Sequence, residues 1–103
     1  MDTQWLEVGL LADIPQKGSR VIRANSGDVA VFRTSNDEVF ALFDTCPHKK
    51  GPLSQGIVFG KRVACPLHNW VIDLENGEAT GPDEGCTHHF DTKIENGVVF
   101  VAL

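Results

Sequence analysis

Residues 20–44, RVIRANSGDVAVFRTSNDEVFALFD, decide the fold class. Short β-branched and aromatic runs alternate in this stretch with turn residues, the pattern of successive antiparallel strands. The spacing predicts strands over Arg20 to Ala24, Asp28 to Thr34 and Val39 to Asp44. Asn25-Ser26-Gly27-Asp28 and Ser35-Asn36-Asp37-Glu38 supply the turns, because Asn, Asp and Gly tolerate the positive φ of tight hairpins.

The same habit extends outward in both directions. Trp5 to Val8 is expected to be a strand upstream. Downstream, Lys61 to Ala64, Trp70 to Asp73, His89 to Ile94 and Val98 to Val101 repeat the pattern, with Asn76-Gly77 and Asn96-Gly97 as hairpin signals. Val8 to Ile14 has room only for a short helical turn. Many short strands without a helix-length amphipathic period predict an all-β fold, an antiparallel sandwich or small barrel. At 103 residues the chain supports one hydrophobic core, so residues 1–103 are expected to form a single domain.

A formal charge of −5, from nine Lys plus Arg against fourteen Asp plus Glu, disfavours nucleic-acid binding. The basic clusters are pairs, Lys49-Lys50 and Lys61-Arg62, which suit a solvated loop better than a docking patch. The start, Met-Asp-Thr-Gln-Trp, has no basic then apolar leader, and no stretch approaches the roughly 18 apolar residues that span a bilayer. The expectation is a soluble, cytoplasmic protein without a membrane partner. Three cysteines cannot all pair within one chain, which disfavours a disulfide framework and suits a reducing compartment.

Between Cys46 and Gly60 the texture changes. Pro47, Gly51, Pro52, Gly56 and Gly60 interrupt any ladder, so a compact irregular loop is expected there. It opens on Cys46-Pro47-His48, and after residues 49 to 64 comes Cys65-Pro66-Leu67-His68. Each half sets a soft thiolate beside an imidazole, and the proline after each cysteine favours the tight turn that lets near neighbours converge on one centre. Zinc also accepts two Cys and two His, so ligand type alone does not choose between zinc and an iron–sulfur cluster. Spacing does better. A zinc finger of this composition usually takes both cysteines from one knuckle and both histidines from another, whereas here each loop offers one of each. Two sulfurs can then hold one iron and two imidazoles a second, the Rieske arrangement.

Cys46-Pro47-His48 and Cys65-Pro66-Leu67-His68 resemble the two Rieske ligand boxes, and the β pattern resembles that fold over nearly the whole chain. The resemblance implies one Rieske [2Fe-2S] cluster held by Cys46, His48, Cys65 and His68, in a loop subdomain at about 44–82. It also implies a departure from the high-potential subtype. Leu67 fills the slot where that subtype carries a disulfide cysteine, and Trp70 and Ile72 stand where its hydroxyl donors would be.

His68-Asn69-Trp70-Val71-Ile72, the run from Asn76 to Cys86, and Gly51-Pro52-Leu53-Ser54-Gln55-Gly56 are similar to the small subunit of assimilatory NAD(P)H-dependent nitrite reductase. That similarity implies a large partner subunit holding FAD, a [4Fe-4S] cluster and siroheme, which reduces nitrite to ammonium. This chain offers none of those sites, having no glycine-rich strand-to-helix turn and no spare cysteine set, so it is expected to relay electrons or support assembly and not to be catalytic alone. The alternative is a Rieske ferredoxin serving a ring-hydroxylating oxygenase.

Other residues have blander readings. Cys86 is expected to be a small buried hydrophobe. His88 and His89 are adjacent, so on a strand they face opposite ways at the surface. Trp5 and Trp70 are expected in the core or over the cluster. Gly81-Pro82 resembles a loop that covers the cluster. The missing hydroxyl donors yield one expectation about the cluster itself. A redox titration should place the midpoint in the lower part of the Rieske range of roughly −150 to +300 mV, and a strongly positive midpoint would overturn it.

Overall fold

The computed structural model describes residues 4–24, 27–45, 52–66, 70–80 and 85–102. Among the described residues ten strands fall into three antiparallel sheets. They are β1 (Trp5–Leu10), β2 (Gly18–Ala24), β3 (Gly27–Arg33), β4 (Val39–Phe43), β5 (Ile57–Phe59), β6 (Arg62–Ala64), β7 (Val71–Asp73), β8 (His89–Phe90), β9 (Thr92–Glu95) and β10 (Val98–Ala102). The sheet orders are β1-β10-β9, β2-β3-β4-β8 and β5-β6-β7. The all-β expectation is met, and the short turn expected within Val8 to Ile14 is a 3-10 turn at Leu11–Asp13.

The four-stranded sheet lies between the other two. In β3, Val29, Ala30, Val31 and Phe32 are all buried, although a strand with one wet face would alternate. The alternation appears instead in the partners. Val29 and Val31, with Val39 and Ala41 of β4, pack with Val8, Val99 and Val101 of the terminal sheet. Ala30 and Phe32, with Leu42 of β4, pack with Val58, Val63 and Ile72 of the third sheet. Burial on both faces makes β3 the hub between two cores.

Turn chemistry holds the ladder in register. At Ser35-Asn36-Asp37-Glu38, Asp37 sits at φ 64 and the buried Thr34 hydroxyl accepts the Asn36 and Glu38 amides at 3.3 and 3.1 Å. The Arg33 guanidinium donates to the Leu11 and Ile14 carbonyls at 3.1 and 2.8 Å and pairs with Asp37 at 2.7 Å. The hydrogen bonds from Gln16 and Arg33 hold the Asp37 carboxyl below the ordinary carboxylate value. Asn96 and Gly97, at φ 52 and 79, form the two-residue hairpin between β9 and β10.

Three expectations change. The interval from Cys46 to Gly60 is not wholly irregular, for it contains a 3-10 turn at Leu53–Gln55 and strand β5. Flanking glycines hid so short a strand. The segment His89 to Ile94 is not one strand: it breaks at Asp91, and its halves pair with different sheets, β8 on β4 and β9 on β10. Asn76-Gly77 lies in a four-residue loop, residues 74–77, closed by the Asp73 amide donating to the Glu78 carbonyl at 2.8 Å. Asn25 and Ser26 lie outside the described residues, although Ala24 pairs with Gly27 across them.

Candidate metal centre

The smallest sheet, β5-β6-β7, carries the second ligand box in the connection from β6 to β7. Cys65 follows β6 directly and is 1% exposed. Its amide donates to the Trp70 carbonyl at 2.6 Å. Around Cys65, one buried cluster gathers Leu53, Val58, Val63, Ile72 and Leu74, with Trp70 packed half-buried against it. Leu53 comes just after the first box, so the flank of one box and the start of the other share a core.

Gly56 sets how closely they approach. A Cβ there would overlap the Ala64 carbonyl oxygen and crowd Val63 Cγ2 and the Leu53 carbonyl, at 3.0 and 3.1 Å. Only glycine lets the chain leave the Leu53–Gln55 turn flush against β6.

The stem of the first box is held by polar contacts. Asp44 Oδ1 accepts the Ser54 amide at 2.7 Å, and Asp44 Oδ2 accepts the Ser54 hydroxyl at 2.8 Å. Of the four expected ligands, Cys65 is placed as described, while Cys46, His48 and His68 lie outside the described residues. Leu67, Gly81-Pro82 and Lys49-Lys50 lie outside them too. Among the described residues no group of three or more His, Cys, Asp or Glu gathers to hold a metal. The donor set nevertheless fits a cluster. Cys65 is a free, buried thiol, and thiolate sulfur is the donor that iron–sulfur clusters take.

Several secondary expectations are revised. Cys86 is exposed, because it lies in an isolated bridge with Glu78 and not in a packed strand. Trp5 is 38% exposed, since its strand turns it to the outer face of the terminal sheet, where Lys93 Nζ lies 4.6 Å from the ring centroid. His88 and His89 are both exposed, as expected, but they do not face opposite ways: His88 precedes β8, its ring stacks on that of His89 at 6.2 Å between centroids, and it packs on Phe90 at 4.6 Å. Lys61 is held between Glu38 and Glu75 at 3.4 and 3.1 Å, and these contacts, the Glu75 hydrogen bond first, raise its pKa. It is engaged within the chain. Sequence reading missed the Asp44–Ser54 contact, because nothing in either residue's neighbourhood marks a partner ten positions away.

A family model for the Rieske [2Fe-2S] domain matches residues 4–92. The chain belongs to the Rieske [2Fe-2S] family. It accordingly carries one Rieske [2Fe-2S] cluster and serves electron transfer in an oxidoreductase system. Among its relatives is the ferredoxin CarAc of Metapseudomonas resinovorans, 32% identical, covering 99% of this chain and 96% of that protein. A solved structure described as an NADH-dependent nitrite reductase small subunit from Mycobacterium tuberculosis superposes with a TM-score of 0.90 at 17% identity, covering 100% and 97% of the two chains. A chain from a complex of oxygenase and ferredoxin in carbazole 1,9a-dioxygenase gives 0.84 at 28% identity, covering 95% and 92%. The chain spans 19% of the length of two further relatives, a 4beta-methylsterol monooxygenase from Methylococcus capsulatus and the chloroplastic Protein TIC 55 from Pisum sativum. Rieske ferredoxins work with larger oxidoreductase or oxygenase subunits. Among the described residues no helix is long and apolar enough to cross a membrane.

The tight approach at Gly56 makes a direct forecast. Gly56→Ala is expected to cost about 1–3 kcal/mol in urea unfolding, because the Ala64 carbonyl belongs to β6 and cannot move aside. Ile57→Ala, at a side chain 71% exposed, should stay within about 0.5 kcal/mol.

Proposed function

We propose that Cys46 and Cys65 bind one iron of the cluster and His48 and His68 the other, within one domain over residues 1–103 whose cluster-binding part is about 44–82. We further propose that this cytoplasmic chain is the small electron-transfer subunit of an assimilatory NAD(P)H nitrite reductase. The partner on this reading is the large subunit with FAD, [4Fe-4S] and siroheme, where nitrite becomes ammonium.

The observation that carries the reading is the neighbourhood of the second box. From Pro66 to Ala79 the sequence holds no Ser, Thr or Tyr, and the next hydroxyl, on Thr80, donates to the Val71 carbonyl at 3.3 Å. Ile72 is fully buried and Trp70 lies against the same core. Apolar residues therefore occupy the places from which hydroxyls would stabilise the reduced cluster, which suits an acceptor of electrons from a nicotinamide–flavin chain. The motif similarity over His68 to Ile72, Asn76 to Cys86 and Gly51 to Gly56 then favours nitrite reduction over other low-potential systems.

The cluster supplies reversible one-electron transfer. The chain's own part is to hold it in a low-dielectric seat at Cys65 and to present it to a partner. A second reading, the ferredoxin of a ring-hydroxylating oxygenase, is favoured by the 32% identity to CarAc over nearly both full lengths. Cluster chemistry is common to the two, so the partner separates them.

His48→Ala and His68→Ala should each bleach the visible iron–sulfur absorption, and a variant that kept it would defeat the ligand assignment. Pull-down from the native source should bring a siroheme protein, whose nitrite turnover falls when this chain is removed. Recovery of a mononuclear iron oxygenase would overturn the nitrite reductase assignment in favour of the second reading.

A further inference from the structure

We propose that Asp44 and Ser54 are positioning residues for the cluster, a carboxylate–serine clamp that sets the geometry of the first ligand box from its stem. The inference rests on the reading of Cys46 and His48 as ligands.

In the segment Cys46-Pro47-His48-Lys49-Lys50-Gly51 only Pro47 has a purely hydrocarbon side chain, so the sequence gives the segment little apolar area of its own. The described residues on either side of it are tied by hydrogen bonds. At one end the Asp44 amide donates to the Asp28 carbonyl at 2.9 Å, at the start of β3. At the other end the Ser54 carbonyl accepts the Ser19 hydroxyl of β2 at 3.0 Å. Between the ends, one carboxylate takes both the amide and the hydroxyl of Ser54, at 2.7 and 2.8 Å. Two charge-assisted bonds from one residue fix orientation as well as distance.

The clamp is thus built on the β2–β3 hairpin, part of the sheet that both cores hold in place. A ligand loop whose stem is held before the cluster binds loses less entropy on binding, and its ligands stay within the narrow tolerance that metal sites require. The contact is part-buried, which shields it from competing water. Asp44 touches no iron on this reading. It acts through the loop that bears two ligands.

The clamp and the carboxylate charge can be separated by substitution. Asn at position 44 can still accept the Ser54 amide while its own amide donates to the Ser54 hydroxyl, so Asp44→Asn keeps the clamp without the charge. Asp44→Ala removes both bonds, and Ser54→Ala removes only the hydroxyl one. The experiment loads each variant with cluster and measures the rate of cluster loss to an iron chelator, together with the EPR g-values. Loss is expected to accelerate about tenfold in Asp44→Ala, less in Ser54→Ala and little in Asp44→Asn, with g-values shifted in the same order.

Arg33→Ala is the control, because it removes a staple away from the box and should lower urea stability without altering the g-values. If Asp44→Ala loses cluster no faster than Arg33→Ala and keeps the wild-type g-values, the clamp inference is wrong. Should Asp44→Ala not fold, Ser54→Ala decides by the same two readouts. Failure of the ligand reading looks different, because His48→Ala would then retain the wild-type spectrum. Bleaching of His48→Ala beside unperturbed clamp variants overturns the clamp alone.

Discussion

Burial of β3 on both faces is the constraint from which the rest of the structure follows. Val29, Ala30, Val31 and Phe32 are each fully buried, so the burial of this strand is complete only with both neighbouring sheets in place. Each buried side chain of this size contributes about 1.5–3 kcal/mol relative to exposure, Ala30 less, so the strand binds two cores into one cooperative unit. The odd positions hold the terminal sheet and the even positions hold the sheet that carries the second box. A metal centre seated on the second core inherits the rigidity of the first.

That arrangement explains the division of labour around the centre. The second box is seated by hydrophobic packing, since Cys65 lies in the same cluster as Leu53, Ile72 and Leu74 and its amide donates to the Trp70 carbonyl. Before the first box, Asp44 is tied to Ser54 through both the amide and the hydroxyl. Cys65 is placed by burial, whereas Asp44 and Ser54 are joined by charge-assisted hydrogen bonds. The two respond differently to solvent, because burial is non-directional while a carboxylate–serine pair fixes angles.

Electron transfer as a Rieske protein follows from family membership, but the choice of partner does not. The same cluster serves oxygenases and reductases, and specificity resides on surfaces that vary while the core stays constant. On this chain Lys61 is occupied by Glu38 and Glu75, so the exposed basic pair Lys61-Arg62 is partly neutralised within the chain itself. The apolar core around Cys65 is a property of the fold whatever the partner.

Local patterning was enough to make most of the molecule legible. The strands around residues 20–44, the turn at Asp37, the Asn96-Gly97 hairpin and the 3-10 turn near Leu11 all follow from side-chain period and φ preference, which act over a few residues. Membership of the Rieske family was also legible, in two Cys-and-His motifs, because metal chemistry demands particular donors at close spacing. Tertiary structure decided the rest. It alone made β3 doubly buried, split His89 to Ile94 between two sheets, exposed Trp5 and Cys86, and raised a strand at Ile57–Phe59 from a glycine-flanked stretch. It alone paired Asp44 with Ser54. Each of these depends on what a distant segment places opposite the residue, and the energy of burial or of a hydrogen bond is set by that neighbour, which no local pattern encodes.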